Sequence, residues 1–383
     1  MKKLFIGSGL LLFLTVVFLV IYNFVFKKPA NVSEIPEANL TQEEQDNITE
    51  KSATPIATEQ KITRLSATPL SYPTLVRDEQ IRFYRRASNT IGQLTIRGTS
   101  EATISATNST AVRDVDWNST GDLALLSKTD GSKYSIVDLA NQSVATFAPQ
   151  VDYATWSDDP DRVFYKSYNE SSNSRTLGVI GIDGSNDTPL TTIPFRRVSI
   201  MDVPKSILVA YWPESDAVTR GTLYTVGTIS PGDPKLVFDQ LFGADYLYSP
   251  TGNLVAASGL REEGVSSSLT LGVFGKDGDN YTDFKIPTFA SKTVWGNDGT
   301  TLYYALPTDI PEDSILPNDY ARGSFFTQDT FWKVDTATGK KDRLIDLSDL
   351  PEKIDATNLF LNDEQTALFF LNRSNNILYR LNL

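Results

Sequence analysis

The chain has 383 residues, with 35 basic and 47 acidic side chains and a net charge of −12. That balance excludes the broad basic face that nucleic acid requires. There is no cysteine and no histidine, which removes disulfides, thiolate nucleophiles, imidazole bases and the common zinc sites together.

Residues 1–28 read as a transmembrane signal anchor. Leu4 to Phe26 carries no charge and is dominated by Leu, Val, Phe and Ile. This run is long enough to span a hydrocarbon core of about 30 Å. A cleaved signal peptide would have a shorter apolar run followed by a small-residue cleavage site. Lys2, Lys3 and the amino terminus precede the run and Lys27 and Lys28 follow it. The slight N-terminal excess of positive charge, with an acidic domain behind, favours a cytoplasmic N-terminus and an extracytoplasmic remainder. Residues 29–60 are rich in Pro, Ala, Asn, Ser, Thr, Gln and Glu. They bury too little surface to offset chain entropy and read as a flexible, disordered linker.

Residues 61–383 repeat one phrase. In Val112–Leu126, VRDVDWNSTGDLALL, a strand ends on Trp117, a polar turn follows, and an apolar strand returns. The phrase recurs at Val151–Phe164, Ala244–Ala257, Ser291–Tyr304 and Asp355–Phe370, with weaker copies at Tyr72–Tyr84 and Val198–Tyr211. The anchor residues are Leu75, Trp117, Trp156, Ile200, Tyr248, Trp295 and Phe360. Seven such hairpins, in units of about four short strands, predict the blades of a β-propeller. In the second unit the expected strands are Val112–Trp117, Leu123–Ser127, Tyr134–Asp138 and Val144–Phe147. The last unit holds three strands, ending with Ile377–Leu381, and Lys61–Ser66 is left over at the start. Pairing those two segments would close the ring and leave no open edge. The expected fold is therefore all-β: a monomeric seven-bladed propeller (61–383) behind one transmembrane helix and a linker.

The pattern W-x-x-D/T-G-x-x-L, carried by Trp117/Gly121/Leu123, Trp156/Asp158/Val163, Tyr248/Gly252/Leu254 and Trp295/Gly299/Leu302, resembles the WD40-like repeats of TolB-type β-propellers. With the anchor, the whole chain resembles membrane-tethered bacterial propellers. The resemblance implies the fold and says little about function, since propellers host unrelated activities.

Two sets of residues are candidate sites. Asp114, Asp152, Asp245 and Asp355 lie near the starts of inner strands, which would gather them at one mouth of the central channel. Such a ring could hold a Ca²⁺-like cation or a basic ligand group. The alternative is turn chemistry, with each Asp bonding nearby backbone N–H groups, and Arg113, Lys292 and Arg197 stand ready to neutralise the ring. The second set rests on long loops at 166–175, 211–220, 258–268 and 306–329, expected on the same face. Tyr168, Trp212, Arg220, Arg261, Tyr320 and Phe325 are its candidate binding residues, since aromatic and Arg side chains dominate interface hot spots. Asp277 to Asp283 faintly echoes a calcium loop but reads as a hairpin turn. No cofactor is implied.

No nucleophile elbow, phosphate loop or dinucleotide fingerprint is present. The expected function is a membrane-tethered extracytoplasmic binding or scaffold module, held to the membrane by residues 4–26, with a protein partner in the cell envelope. The alternative is an extracytoplasmic hydrolase, carbohydrate-active or metal-dependent, using the acidic mouth. A third reading makes the propeller a spacer within an envelope complex.

Overall fold

The computed structural model describes residues 61–106, 112–129, 133–148, 150–214 and 216–383. The expected membrane segment and linker lie outside the described residues. Among those described, no helix is long and apolar enough to cross a membrane.

Seven four-stranded antiparallel sheets form the seven blades. The inner strands are Ser71–Val76, Val112–Trp117, Val151–Trp156, Val198–Asp202, Phe242–Tyr248, Thr293–Trp295 and Ala356–Leu361. Every anchor residue falls on one of them. The seventh sheet is completed by Ile62–Arg64, which pairs antiparallel with Ile377–Asn382 through Ile62↔Leu381 and Arg64↔Tyr379. Leu65 N adds a 2.8 Å bond to Leu378 O. The two ends of the domain thus seal the ring, as the leftover strand predicted.

The core is distributed between blades. A second strand sits in the middle of its sheet and must be apolar on both faces, because side chains alternate and each face meets a neighbouring blade. In the second blade Leu123 and Leu125 pack with Val163 and Tyr165 of the third, while Ala124 and Leu126 pack with Tyr84 and Ile91 of the first. The same division recurs around the ring, ending with Phe331 of the sixth blade against Phe370 of the seventh. Their ring centroids are 4.5 Å apart.

Two further devices explain the repeated phrase. The Trp117 indole donates to Tyr72 O at 2.8 Å, that of Trp156 to Asp116 O at 3.1 Å, and that of Trp295 to Leu247 O at 3.0 Å. Each bond ties an inner strand to the inner strand of the preceding blade. The turn glycines Gly121, Gly252 and Gly299 have φ of 69°, 71° and 69°, a region that disfavours any Cβ. A Cβ on Gly252 would also lie 2.1 Å from Pro204 O of the previous blade.

Replacing Trp295 with Phe leaves the Leu247 carbonyl without its donor. The expected cost is about 1–3 kcal/mol, read from the urea midpoint at unchanged slope. An unchanged midpoint would show that these indole bonds do not tie the blades.

Candidate functional site

The insertion between the second and third strands of the sixth blade builds the site. It opens after Pro307, where Thr308 N bonds Gln328 O at 2.9 Å, and it carries one short helix, Asn318–Arg322, ended by Gly323 at φ 76°. From there it reaches across the mouth. Ala217 N of the fourth blade donates to Asn318 Oδ1 at 2.9 Å. Ser266 Oγ of the fifth donates to Ser314 O at 2.6 Å and accepts from Leu316 N at 2.9 Å. Leu316 and Tyr320 are buried with Ala217, Leu260, Leu269 and Phe289. The loop expected as part of an open rim is thus a folded cap lying over the fourth to seventh blades.

Its anchor is ionic. Lys292 and Asp329 are fully buried and Asp355 nearly so. Lys292 Nζ lies 2.5 Å from Asp329 Oδ2, 2.6 Å from Asp355 Oδ1, 3.0 Å from Ala356 O and 3.1 Å from Thr327 Oγ1. Four acceptors surround three ammonium protons, so at least one proton is shared. Burial alone would lower the lysine pKa. The Asp329 carboxylate, with Tyr320 and Asp355, outweighs it and raises the value, so the ammonium keeps its charge. Tyr320 joins from the cap: its hydroxyl donates to Asp355 Oδ1 at 2.7 Å and its ring stacks on Phe289 at 4.4 Å. Burial pushes that hydroxyl up to about 12, so it stays a neutral donor. The Arg373 guanidinium lies over the Tyr320 ring, 4.4 Å from its centroid.

Beneath the cap lies a cavity of about 310 Å³, lined among others by Asp245, Phe289, Ser291, Pro317, Tyr320 and Arg373. Asp245 Oδ1 accepts from the Trp212 indole at 3.0 Å and from Tyr246 N at 3.1 Å. Burial raises the Asp245 pKa, and these two bonds oppose the rise.

The structure therefore brings Asp245, Tyr320, Trp212 and Asp355 around one place, with Asp245 and Tyr320 on the cavity wall and the other two behind it. Phe325 packs half-buried beside Tyr320, at 5.8 Å between ring centroids. The other candidates lie elsewhere. Asp152 forms an ion pair with buried Lys166 at 2.9 Å. Asp114 Oδ1 accepts from Val115 N at 2.9 Å. It shares one side of its strand with Asp116, whose Oδ2 accepts from Thr155 Oγ1 at 2.8 Å. Both carboxyls are raised chiefly by desolvation. Tyr168 is not in a loop: it pairs with Arg175 inside an extended hairpin and stacks with its guanidinium. Arg220 stacks on Phe242 at 4.6 Å, and Arg261 reaches Asp283 at 3.3 Å. Asp277 occupies a hairpin turn and pairs with Lys235 at 2.7 Å. No group of three acidic, His or Cys side chains suited to a metal occurs among the described residues. Of the three cations named as neutralisers, Lys292 does so from the interior. Asp329, Thr327 and Arg373 carried no sequence signal, since they meet only once the insertion folds back.

No protein-family model matches the chain. No curated protein matches it in sequence. Solved structures match in shape. An oligogalacturonate lyase in complex with manganese superposes with a TM-score of 0.61 at 12% identity, over 84% of this chain and 93% of that one. The β-propeller domain of the Trilobed protease from Pyrococcus furiosus, described as having an open velcro topology, gives 0.52 at 11% identity, over 82% and 95%. TolB from Acinetobacter baumannii is also matched, at 0.45 and 10% identity, over 68% and 61%. The likeness is one of fold alone.

Two outcomes follow. Lys292→Met strands two buried carboxylates and should cost about 3–5 kcal/mol of unfolding free energy, measured in denaturant. Asp245 has a raised folded-state pKa, so its stabilisation is complete below the unfolded value of about 3.9 and is lost as pH rises through the folded one. Asp245→Asn keeps an acceptor for Trp212 and Tyr246. It should therefore melt above the parent at pH 7, and the gap should close on acidification. A gap that is constant between pH 7 and 4 would contradict the assignment.

Proposed function

We propose that this chain is a membrane-tethered extracytoplasmic propeller that binds a ligand or a partner protein at its capped mouth. The observation that carries this reading is the state of the four mouth carboxylates. They do not converge on an open pocket. Asp114 and Asp245 bond adjacent backbone N–H groups, and Asp152 and Asp355 are neutralised by Lys166 and Lys292. An acid-pair hydrolase would need two of these carboxylates facing one substrate, and each is held by its own local partner. The cap instead covers a concave, partly apolar cavity of the kind that binds small molecules, and its outer surface leaves Phe326 exposed. The apolar run Leu4–Phe26 supports the tether.

The enzyme reading keeps one observation in its favour. Asp114 and Asp116 stand two residues apart on one strand, both raised in pKa and both accessible to solvent. Such a pair can divide acid and base roles, and the similar folds include a lyase.

The test uses the full chain in its membrane. After crosslinking, the parent should capture a partner that is lost when residues 309–327 are replaced by a short Gly-Ser turn. Equal capture by both forms would remove the cap from the reading. Turnover of an oligosaccharide that is abolished by Asp114→Asn with Asp116→Asn would favour the enzyme instead.

A further inference from the structure

The lining of the cavity under the cap includes one guanidinium, Arg373, and one carboxylate, Asp245. Arg373 is half-buried against the Tyr320 ring. Its Nη1 is enclosed and has no hydrogen-bond partner among the described residues. Its Nη2 makes a single long contact, 3.5 Å to Ala321 O. No carboxylate of the described residues pairs with it. A guanidinium offers five donors in a planar fork that fits a carboxylate, and here the fork is nearly unused. Leaving charged donors unsatisfied in a walled site is costly.

Asp245 lines the same cavity. Its Oδ1 takes both hydrogen bonds, from Trp212 and Tyr246, and its Oδ2 bonds nothing among the described residues. The Ser291 and Thr357 hydroxyls also line the space, without side-chain partners among the described residues. Leu269, Phe289 and Pro317 supply an apolar wall. The Ser258 hydroxyl is already committed to Thr288 O at 2.6 Å.

We infer that this cavity binds a small zwitterion with an apolar body, of the class of a free hydrophobic α-amino acid. Arg373 receives the carboxylate, Asp245 receives the ammonium, and the side chain lies against Phe289 and Leu269. At about 310 Å³ the cavity holds one such molecule and excludes a folded segment. The ligand also supplies Arg373 and Asp245 each with the counter-charge it lacks among the described residues. This inference rests on the binding reading above and gives it a ligand class.

The test is calorimetric titration of the full chain in detergent with L-phenylalanine, 3-phenylpropionate and phenethylamine. These share the ring and differ in carrying both charges, only the carboxylate, or only the ammonium. Phenylalanine should bind, and each single-charge analogue should bind at least about tenfold more weakly, since a charge-assisted hydrogen bond is lost. Arg373→Met should remove the advantage of phenylalanine over phenethylamine. Asp245→Asn should remove its advantage over phenylpropionate. Arg373→Lys, which keeps the charge without the fork, should fall between parent and Arg373→Met and serves as the folding control. Equal binding of all three compounds, affinity unchanged in both variants, or no binding of phenylalanine would overturn the assignment. Cap-dependent partner capture by the parent, to which phenylalanine nevertheless fails to bind, would sink the zwitterion and leave the binding reading standing. Loss of cap-dependent capture together with failure to bind would sink both.

Discussion

The buried ammonium of Lys292 joins three parts of the chain that are distant in sequence. It sits just before the inner strand of the sixth blade. It meets Asp329 and Thr327 at the far end of the insertion, and Asp355 at the entrance to the seventh blade. A lysine without water is tolerated only where its proton-bearing nitrogen is fully engaged, and here it has more acceptors than protons. Because both ends of the insertion are held, one by Thr308 and Gln328 and the other by this cluster, its middle is constrained to run over the mouth. The position of Tyr320, and through it of Arg373, follows from that constraint. The cavity is a consequence of an ionic anchor combined with a rigid ring.

Around that anchor, most of the architecture was legible in sequence because its causes are local. A middle strand packed on both faces must read as a continuous apolar run, and LALLS at Leu123–Ser127 does. A left-handed turn position favours Gly, and Gly121, Gly252 and Gly299 mark it. The first and fourth hairpins were harder to see for the same reason. There the left-handed residues are Asp78 and Glu79, and Lys205, with φ between 53° and 60°. The turn is kept while its usual residue is absent. The indole bonds explain why Trp marks three of the blades: an apolar anchor would pack there but could not reach the neighbouring carbonyl.

The site was only half legible. Periodicity places Asp114, Asp152, Asp245 and Asp355 near one end of the channel, yet it cannot say which carboxylate finds a cation. That depends on partners 14 to 63 residues away, such as Lys166 for Asp152 and Lys292 for Asp355. Likewise, aromatic residues in long loops suggested an open rim. Trp212 instead lies on the strand Leu208–Pro213, buried against Tyr246, and Tyr320 is buried because the insertion carries its own apolar residues and collapses onto Phe289 and Leu260. A loop with Leu316, Tyr320 and Phe325 at close intervals has enough apolar surface to fold as a lid, and composition alone does not reveal which face it will cover.

Whether the buried lysine holds the cap over the mouth is tested most directly by amide hydrogen exchange. In the parent, the amides of residues 314–328 should be protected to nearly the same degree as the sixth-blade strands beneath them. In Lys292→Met they should exchange much faster, while the strand Leu123–Lys128 on the far side of the ring keeps its protection. Unchanged exchange across residues 314–328 in a folded Lys292→Met protein would contradict the account, since the cap would then be held by its apolar contacts alone.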